Sequence, residues 1–130
     1  MLLRVHKAIS NAQGWLPFDQ FMAMALYEPG LGYYANQQPK FGSMPQSGSD
    51  FVTAPELSPL FGAALAKQVA EALAATGTDE VWEFGAGSGA LAQQLLTELK
   101  RLDTPLKRYN IMDLSSTLKV RQQAKLAEWG

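Results

Sequence analysis

A chain of 130 residues is long enough for one small domain, and it contains no cysteine, which excludes disulfides, thiolate metal sites and cysteine catalysis together. A net charge of −1, with 47% hydrophobic and 18% charged residues, is ordinary for a globular protein and leaves no global nucleic-acid footprint. No apolar run approaches membrane-spanning length, and Met1-Leu2-Leu3-Arg4-Val5-His6-Lys7 reads neither as a secretory signal nor as an Arg- and Ser-rich transit peptide, so a cytoplasmic protein is expected.

The first helix is predicted from Leu2, Leu3, Val5, His6 and Ile9 and ends near Gly14. His6 is the one histidine, too isolated for a zinc site, and reads as a helix residue near a terminus. Pro17 suits the first turn of a second helix, on which Phe18, Phe21, Met22, Ala25 and Leu26 form one apolar face. Glu28-Pro29-Gly30 stops it. Residues 35–50, rich in Gln, Gly, Ser and Pro, have little to bury and read as a mobile loop, a candidate lid, with 36–48 expected to be poorly ordered. Ser58-Pro59 opens a third helix with a cap and a first-turn proline, carried by Phe61, Leu65, Val69 and Leu73 and ended by Gly77.

The most specific stretch follows. Glu80–Phe84 reads as a strand, Gly85-Ala86-Gly87-Ser88-Gly89 as a tight loop, and Ser88 to about Leu102 as a helix with Leu91, Leu95, Leu96 and Leu99 on its apolar side. Strand, glycine loop and helix are the layout of a nucleotide-cofactor site, in which the backbone approaches the ligand closely and a helix N-terminus faces the same space. The spacing is not the G-x-G-x-x-G of a dinucleotide site, and no lysine follows for a phosphate loop. Glu83 would repel a pyrophosphate but would pair with an ammonium, which suits S-adenosylmethionine. The plainer alternative is a flexible glycine turn with an incidental glutamate.

A turn at Asp103-Thr104-Pro105 leads to a second strand, Arg108–Asp113, expected to run parallel to the first through a right-handed crossover. Asp113 follows Gly89 by 24 residues, where a βαβ unit places an acid that accepts both hydroxyls of a ribose. The alternative is that Asp113 caps a turn before Ser115 and Ser116. A last helix runs from Ser116 to about Trp129. Residues 97–130 hold 7 basic and 4 acidic side chains against 4 and 8 before them. That basic end could attract an acidic partner, although a solvated helix surface is the simpler reading.

Three blocks then carry a resemblance: Gly32-Tyr33-Tyr34, the run Gly48-Ser49-Asp50-Phe51-Val52-Thr53-Ala54-Pro55-Glu56-Leu57-Ser58-Pro59-Leu60-Phe61-Gly62, and Glu83–Leu91. From about Gly14 to Leu126 the chain resembles the MidA family of S-adenosylmethionine-dependent methyltransferases, which includes a mitochondrial arginine methyltransferase of complex I assembly. Two departures stand out: Ser49 sits between Gly48 and Asp50, and Asp113 stands where the family often has Glu. The resemblance implies a class I, Rossmann-like α/β fold of which this chain holds the first half. Residues 1–57 form an N-terminal helical segment with a mobile loop, and 58–130 begin the cofactor domain. It implies S-adenosyl-L-methionine bound by Glu83, Gly85, Ala86, Gly87, Gly89, Asp113 and Leu114, and no metal.

The implied acceptor is a protein arginine, for which Asp50 and Glu56 are the candidate catalytic carboxylates, orienting the guanidinium and taking its proton. Against that, Asp50 and Thr53 could organise the turn and Glu56 could belong to the helix-capping loop. Read as a fragment of a longer methyltransferase, the chain is expected to self-associate through unpaired strand edges and to bind cofactor weakly by itself. Two rivals remain, a different nucleotide-cofactor enzyme such as a dehydrogenase and a non-catalytic assembly domain that keeps the fold.

Overall fold

The computed structural model describes residues 1–36, 52–104 and 106–129. The expected mobile loop, apart from Ala35 and Asn36, lies outside the described residues, as does Asp50. In chain order the elements are α1 (Leu2–Asn11), α2 (Phe18–Tyr27), α3 (Ala54–Leu57), α4 (Pro59–Thr76), β1 (Glu80–Phe84), α5 (Ala90–Arg101), β2 (Arg108–Met112) and α6 (Ser116–Lys125).

β1 and β2 pair in parallel, with Val81 opposite Tyr109 and Glu83 opposite Ile111. The crossover helix α5 therefore has to pack across the pair, and its sequence supplies the face for it. Ala92, Leu95 and Leu99 are buried, with Ala66 of α4 and the partly buried Leu65, Val69 and Tyr109 against the same cluster. Alternation along a strand puts Val81, Glu83, Tyr109 and Ile111 on this helix-covered side. Trp82, Phe84 and Met112 point the other way and are 55%, 74% and 50% exposed. The parallel βαβ unit with its helices is the expected α/β, Rossmann-like arrangement, in a sheet of two strands among the described residues. Among the described residues Phe84 lacks cover, whereas Val81 and Ile111 are half-buried.

Leu99 is 1% exposed at the centre of this packing. Leu99→Ala should lower the unfolding free energy by about 2–5 kcal/mol, the cost of a lost buried side chain plus the cavity left behind. Urea unfolding checks this, and a loss below about 1 kcal/mol would contradict the core placement.

Boundaries differ from expectation in physically simple ways. Pro17 sits just before α2 rather than within its first turn. Ala54–Leu57 forms a short helix of its own, with Thr53 at its N-cap, Pro55 in its first turn and Glu56 near its positive end. Ser58 caps α4, its Oγ accepting from the Leu60 N–H at 3.2 Å. α6 is regular only to Lys125, and a turn closed by Trp129 N donating to Leu126 O at 2.9 Å follows it. Among the described residues, no helix is long and apolar enough to cross a membrane.

Candidate functional site

The strand pairing runs one residue into the loop, where Gly85 N donates to Met112 O at 2.9 Å. Gly85, Gly87 and Gly89 then take φ of +70°, +57° and +83°, a region closed to most side chains. Alternating left-handed residues fold the loop tightly enough for α5 to begin directly at Ala90. The three glycines are thus a conformational requirement of the turn.

A cavity of about 370 Å³ opens beside this loop. Glu83, Gly85, Ala86 and Gly87 form one wall, and Thr53 and Glu56 of the α3 segment form another. Glu56 is fastened to the loop itself, because Ser88 Oγ donates to its carboxylate, and Lys125 Nζ lies 3.5 Å from the same hydroxyl. Gln94 of α5 holds α3 in place: its Nε2 donates to Pro55 O at 2.7 Å while its Oε1 accepts from Gly62 N at 3.1 Å. Only glycine permits that approach, since a Cβ on residue 62 would sit 2.3 Å from Gln94 Cβ. Residues 53–62 are therefore held to the glycine loop and to the helix after it by Ser88 and Gln94 together.

Glu83 is half-buried on the helix side of the sheet and accepts a hydrogen bond from Tyr109 Oη at 2.7 Å. Burial pushes its carboxyl above the ordinary range, and the tyrosine bond partly offsets this. Tyr109 is raised as well, by burial first and by the neighbouring carboxylate second, so it remains a donor across the physiological range. The result is a half-buried carboxyl in the lining of the small cavity, held by Tyr109, which when ionised can pair with a ligand ammonium.

Asp113 and Leu114 follow β2 and do not line this cavity. Asp113 Oδ1 accepts from Ser115 N at 3.0 Å, the turn contact weighed above, and Oδ2 accepts from Gln122 Nε2 at 2.9 Å. Gln122 also donates to Gly87 O at 3.0 Å, so the second-strand acid and the glycine loop meet through it. Leu114 is exposed. The N-terminal segment reaches the same corner: Ser115 Oγ caps α6 through Leu118 N and donates to Tyr34 O at 2.5 Å. The Gly32-Tyr33-Tyr34 block therefore anchors beside Asp113. Sequence reasoning passed over Tyr109, Gln94 and Gln122. A hydroxyl in an apolar strand and amides on amphipathic helices carry no local sign of their partners.

A larger cavity of about 620 Å³ lies at the opposite end of β2, between Lys100, Leu106, Arg108, Leu126 and Trp129. It is distant from the loop and holds none of the expected site residues. Of the expected site residues, Glu56, Glu83, Gly85, Ala86 and Gly87 line the smaller one.

The chain is similar in sequence and structure to several known proteins. A native crystal structure of a COG1565 superfamily protein from Burkholderia thailandensis is 48% identical, with TM-score 0.76 over 97% of this chain and 30% of that one. A second COG1565 superfamily member from Burkholderia thailandensis, crystallised with S-adenosyl-homocysteine, is 51% identical, with TM-score 0.88 over 97% of this chain and 33% of that one. The mitochondrial protein arginine methyltransferase NDUFAF7 of Mus musculus is 29% identical over 91% of this chain and 28% of its own length. Its Danio rerio counterpart is 32% identical over 70% of this chain and 21% of its own. The chain thus spans about a third or less of these relatives. A family model, Methyltransf_28, described as "Putative S-adenosyl-L-methionine-dependent methyltransferase", matches residues 64–130. That match takes in β1, the glycine loop, the crossover helix and the acid-bearing second strand, just over half of the sequence, and the chain belongs to the Methyltransf_28 family.

Proposed function

We propose that this chain carries the methionyl- and ribose-binding part of an S-adenosylmethionine-dependent methyltransferase that acts on protein arginine side chains. The observation that carries the reading is the half-buried Glu83 carboxyl lining one cavity with Gly85 and Gly87, whose walls include a second carboxyl, Glu56, and no lysine or arginine among the described residues. Such a site accepts an ammonium and rejects phosphate, which disfavours a dinucleotide enzyme. The residues fit the cofactor in a second way. A Cβ added at Gly85 would meet nothing within 4 Å, so the loop leaves open space beside its backbone for a ligand. The relative bound to S-adenosyl-homocysteine, half-identical over nearly the whole chain, supports the same cofactor. The arginine acceptor is supported by the names of the NDUFAF7 relatives.

When bound, the cofactor supplies an electrophilic methyl group on a sulfonium. The protein then needs to position and desolvate rather than to form a covalent bond. Glu83 pairs with the methionyl ammonium. Gly85, Ala86, Gly87 and Gly89 let the backbone approach the same end. Asp113 accepts the ribose hydroxyls with the lone pairs its two internal donors leave free, and the exposed Leu114 flanks the adenine. Glu56, fixed by Ser88 on the cavity wall, orients a guanidinium and holds the proton it gives up. Asp50 joins it in this proposal from outside the described residues.

Titration of the full protein with S-adenosyl-homocysteine and with NAD separates the reading from a dehydrogenase, because only the former should bind. Asp113→Ala should weaken S-adenosyl-homocysteine by about 1.5–3 kcal/mol, the range for hydrogen bonds to a charged group. Preference for NAD, or unchanged affinity in the variant, would refute the assignment.

A further inference from the structure

Gln122 is a buried polar side chain, 5% exposed, that the proposed chemistry does not use. A primary amide nitrogen carries two hydrogens. Here Nε2 donates to Gly87 O at 3.0 Å and to Asp113 Oδ2 at 2.9 Å, so both can be used at once. The two acceptors belong to different elements, the loop after β1 and the residue after β2. Helix α6 lies close against the loop at this point: a Cβ on Gly89 would come 3.6 Å from Gln122 Cα and Cγ.

Each bond constrains something specific. In a trans peptide the carbonyl and the next N–H point in opposite directions. Holding Gly87 O toward α6 therefore turns the Ser88 N–H away from it. At Asp113 the Ser115 N–H engages Oδ1 alone, which leaves the carboxylate free to pivot; a second donor on Oδ2 fixes its plane. Buried amides are costly without partners, so the two bonds support one another.

We infer that Gln122 is a positioning residue that locks the Gly87 peptide and the Asp113 carboxylate into one fixed relation, and so sets the distance between the methionyl and ribose ends of the site. This rests on the cofactor reading above. Gln122 need not touch the ligand; it acts through the two groups it holds.

The test compares two ligands on the full protein by calorimetry: S-adenosyl-homocysteine and its 2′,3′-dideoxyribose analogue, which cannot use Asp113. Gln122→Met keeps length and volume but removes both donors. It should weaken S-adenosyl-homocysteine about tenfold or more, and the analogue, which still meets the Gly87 loop but not Asp113, at least about threefold less than that. Gln122→Asn keeps the amide but not the reach to both acceptors, and should show the same split should the methionine variant fail to fold. Equal weakening of both ligands would mean that Gln122 acts through the loop or the fold and not on Asp113, and unchanged affinity for both would mean that it supports nothing at the site; either overturns the inference. Failure of the unmutated protein to bind S-adenosyl-homocysteine is a separate result, and it overturns the cofactor reading itself.

Discussion

Gly87→Val is expected to weaken S-adenosyl-homocysteine binding by about 10- to 100-fold while the fold survives. Gly87 has φ of +57°, between Gly85 and Gly89 at +70° and +83°. A β-branched side chain in that left-handed region costs about 1–3 kcal/mol if the backbone stays, so the loop will move instead. Any such movement draws Gly87 O away from Gln122 and Ser88 away from Glu56, the two tethers that tie the loop to α6 and α3. The core is insulated from the change, since Ala66, Leu95 and Leu99 lie on the helix-packed side beyond the loop. Circular dichroism should therefore change little while calorimetry registers the loss. Gly87→Ala, which lacks the β-branch, should lie between the two. Retained affinity in the valine variant would show that the loop conformation is not what the ligand reads.

What was legible in the sequence was local. The Ser58-Pro59 start, the strand–loop–helix at Glu80–Arg101 and the acid after β2 all announce themselves through nearest neighbours: a cap, a glycine alternation, an apolar period. The four-residue α3 escaped because one helical turn has no periodicity to detect. The covered face of the sheet escaped for a different reason. Val81-Trp82 and Ile111-Met112 are apolar on both sides, so alternation could not say that Trp82, Phe84 and Met112 face outward. Least legible were the tethers. Gln94 reaches Pro55 and Gly62, Gln122 reaches Gly87 and Asp113, and Tyr109 reaches Glu83, each across at least one intervening element except for the short Gln122–Asp113 step. On an amphipathic helix a glutamine reads as a solvated residue, and only the packed structure shows it buried. The site was visible as separate pieces, and the groups that assemble those pieces were not.

Glu83→Gln should stabilise the fold near pH 8 and at the same time reduce affinity for S-adenosyl-homocysteine by about tenfold or more. Both effects come from one desolvated carboxylate. Burial raises the Glu83 carboxyl above its ordinary value of 4.5, which means that the folded state resists its ionisation. A carboxyl raised on folding binds more protons folded than unfolded. Its contribution to stability is fully present below the ordinary value and is lost as pH rises through the raised one. Above that window the unmutated protein carries the whole penalty of a buried charge. Glutamine has the same shape, its carbonyl oxygen still accepts from Tyr109 Oη, and it has no charge to desolvate. The variant's advantage in melting temperature should therefore be largest near pH 8 and shrink as pH falls toward 4.5. The ammonium of the ligand needs the charge that the fold resists, so affinity moves the opposite way. Tyr109→Phe serves as the control: it strips the donor from Glu83 without removing the charge, and should lower stability at pH 8 where Glu83→Gln raises it. Thermal unfolding at pH 5 and pH 8, with ligand titration at pH 8, measures both halves. A glutamine variant that is less stable at pH 8 and binds as tightly as before would show that Glu83 is a structural acid, held by Tyr109 for the sake of the sheet.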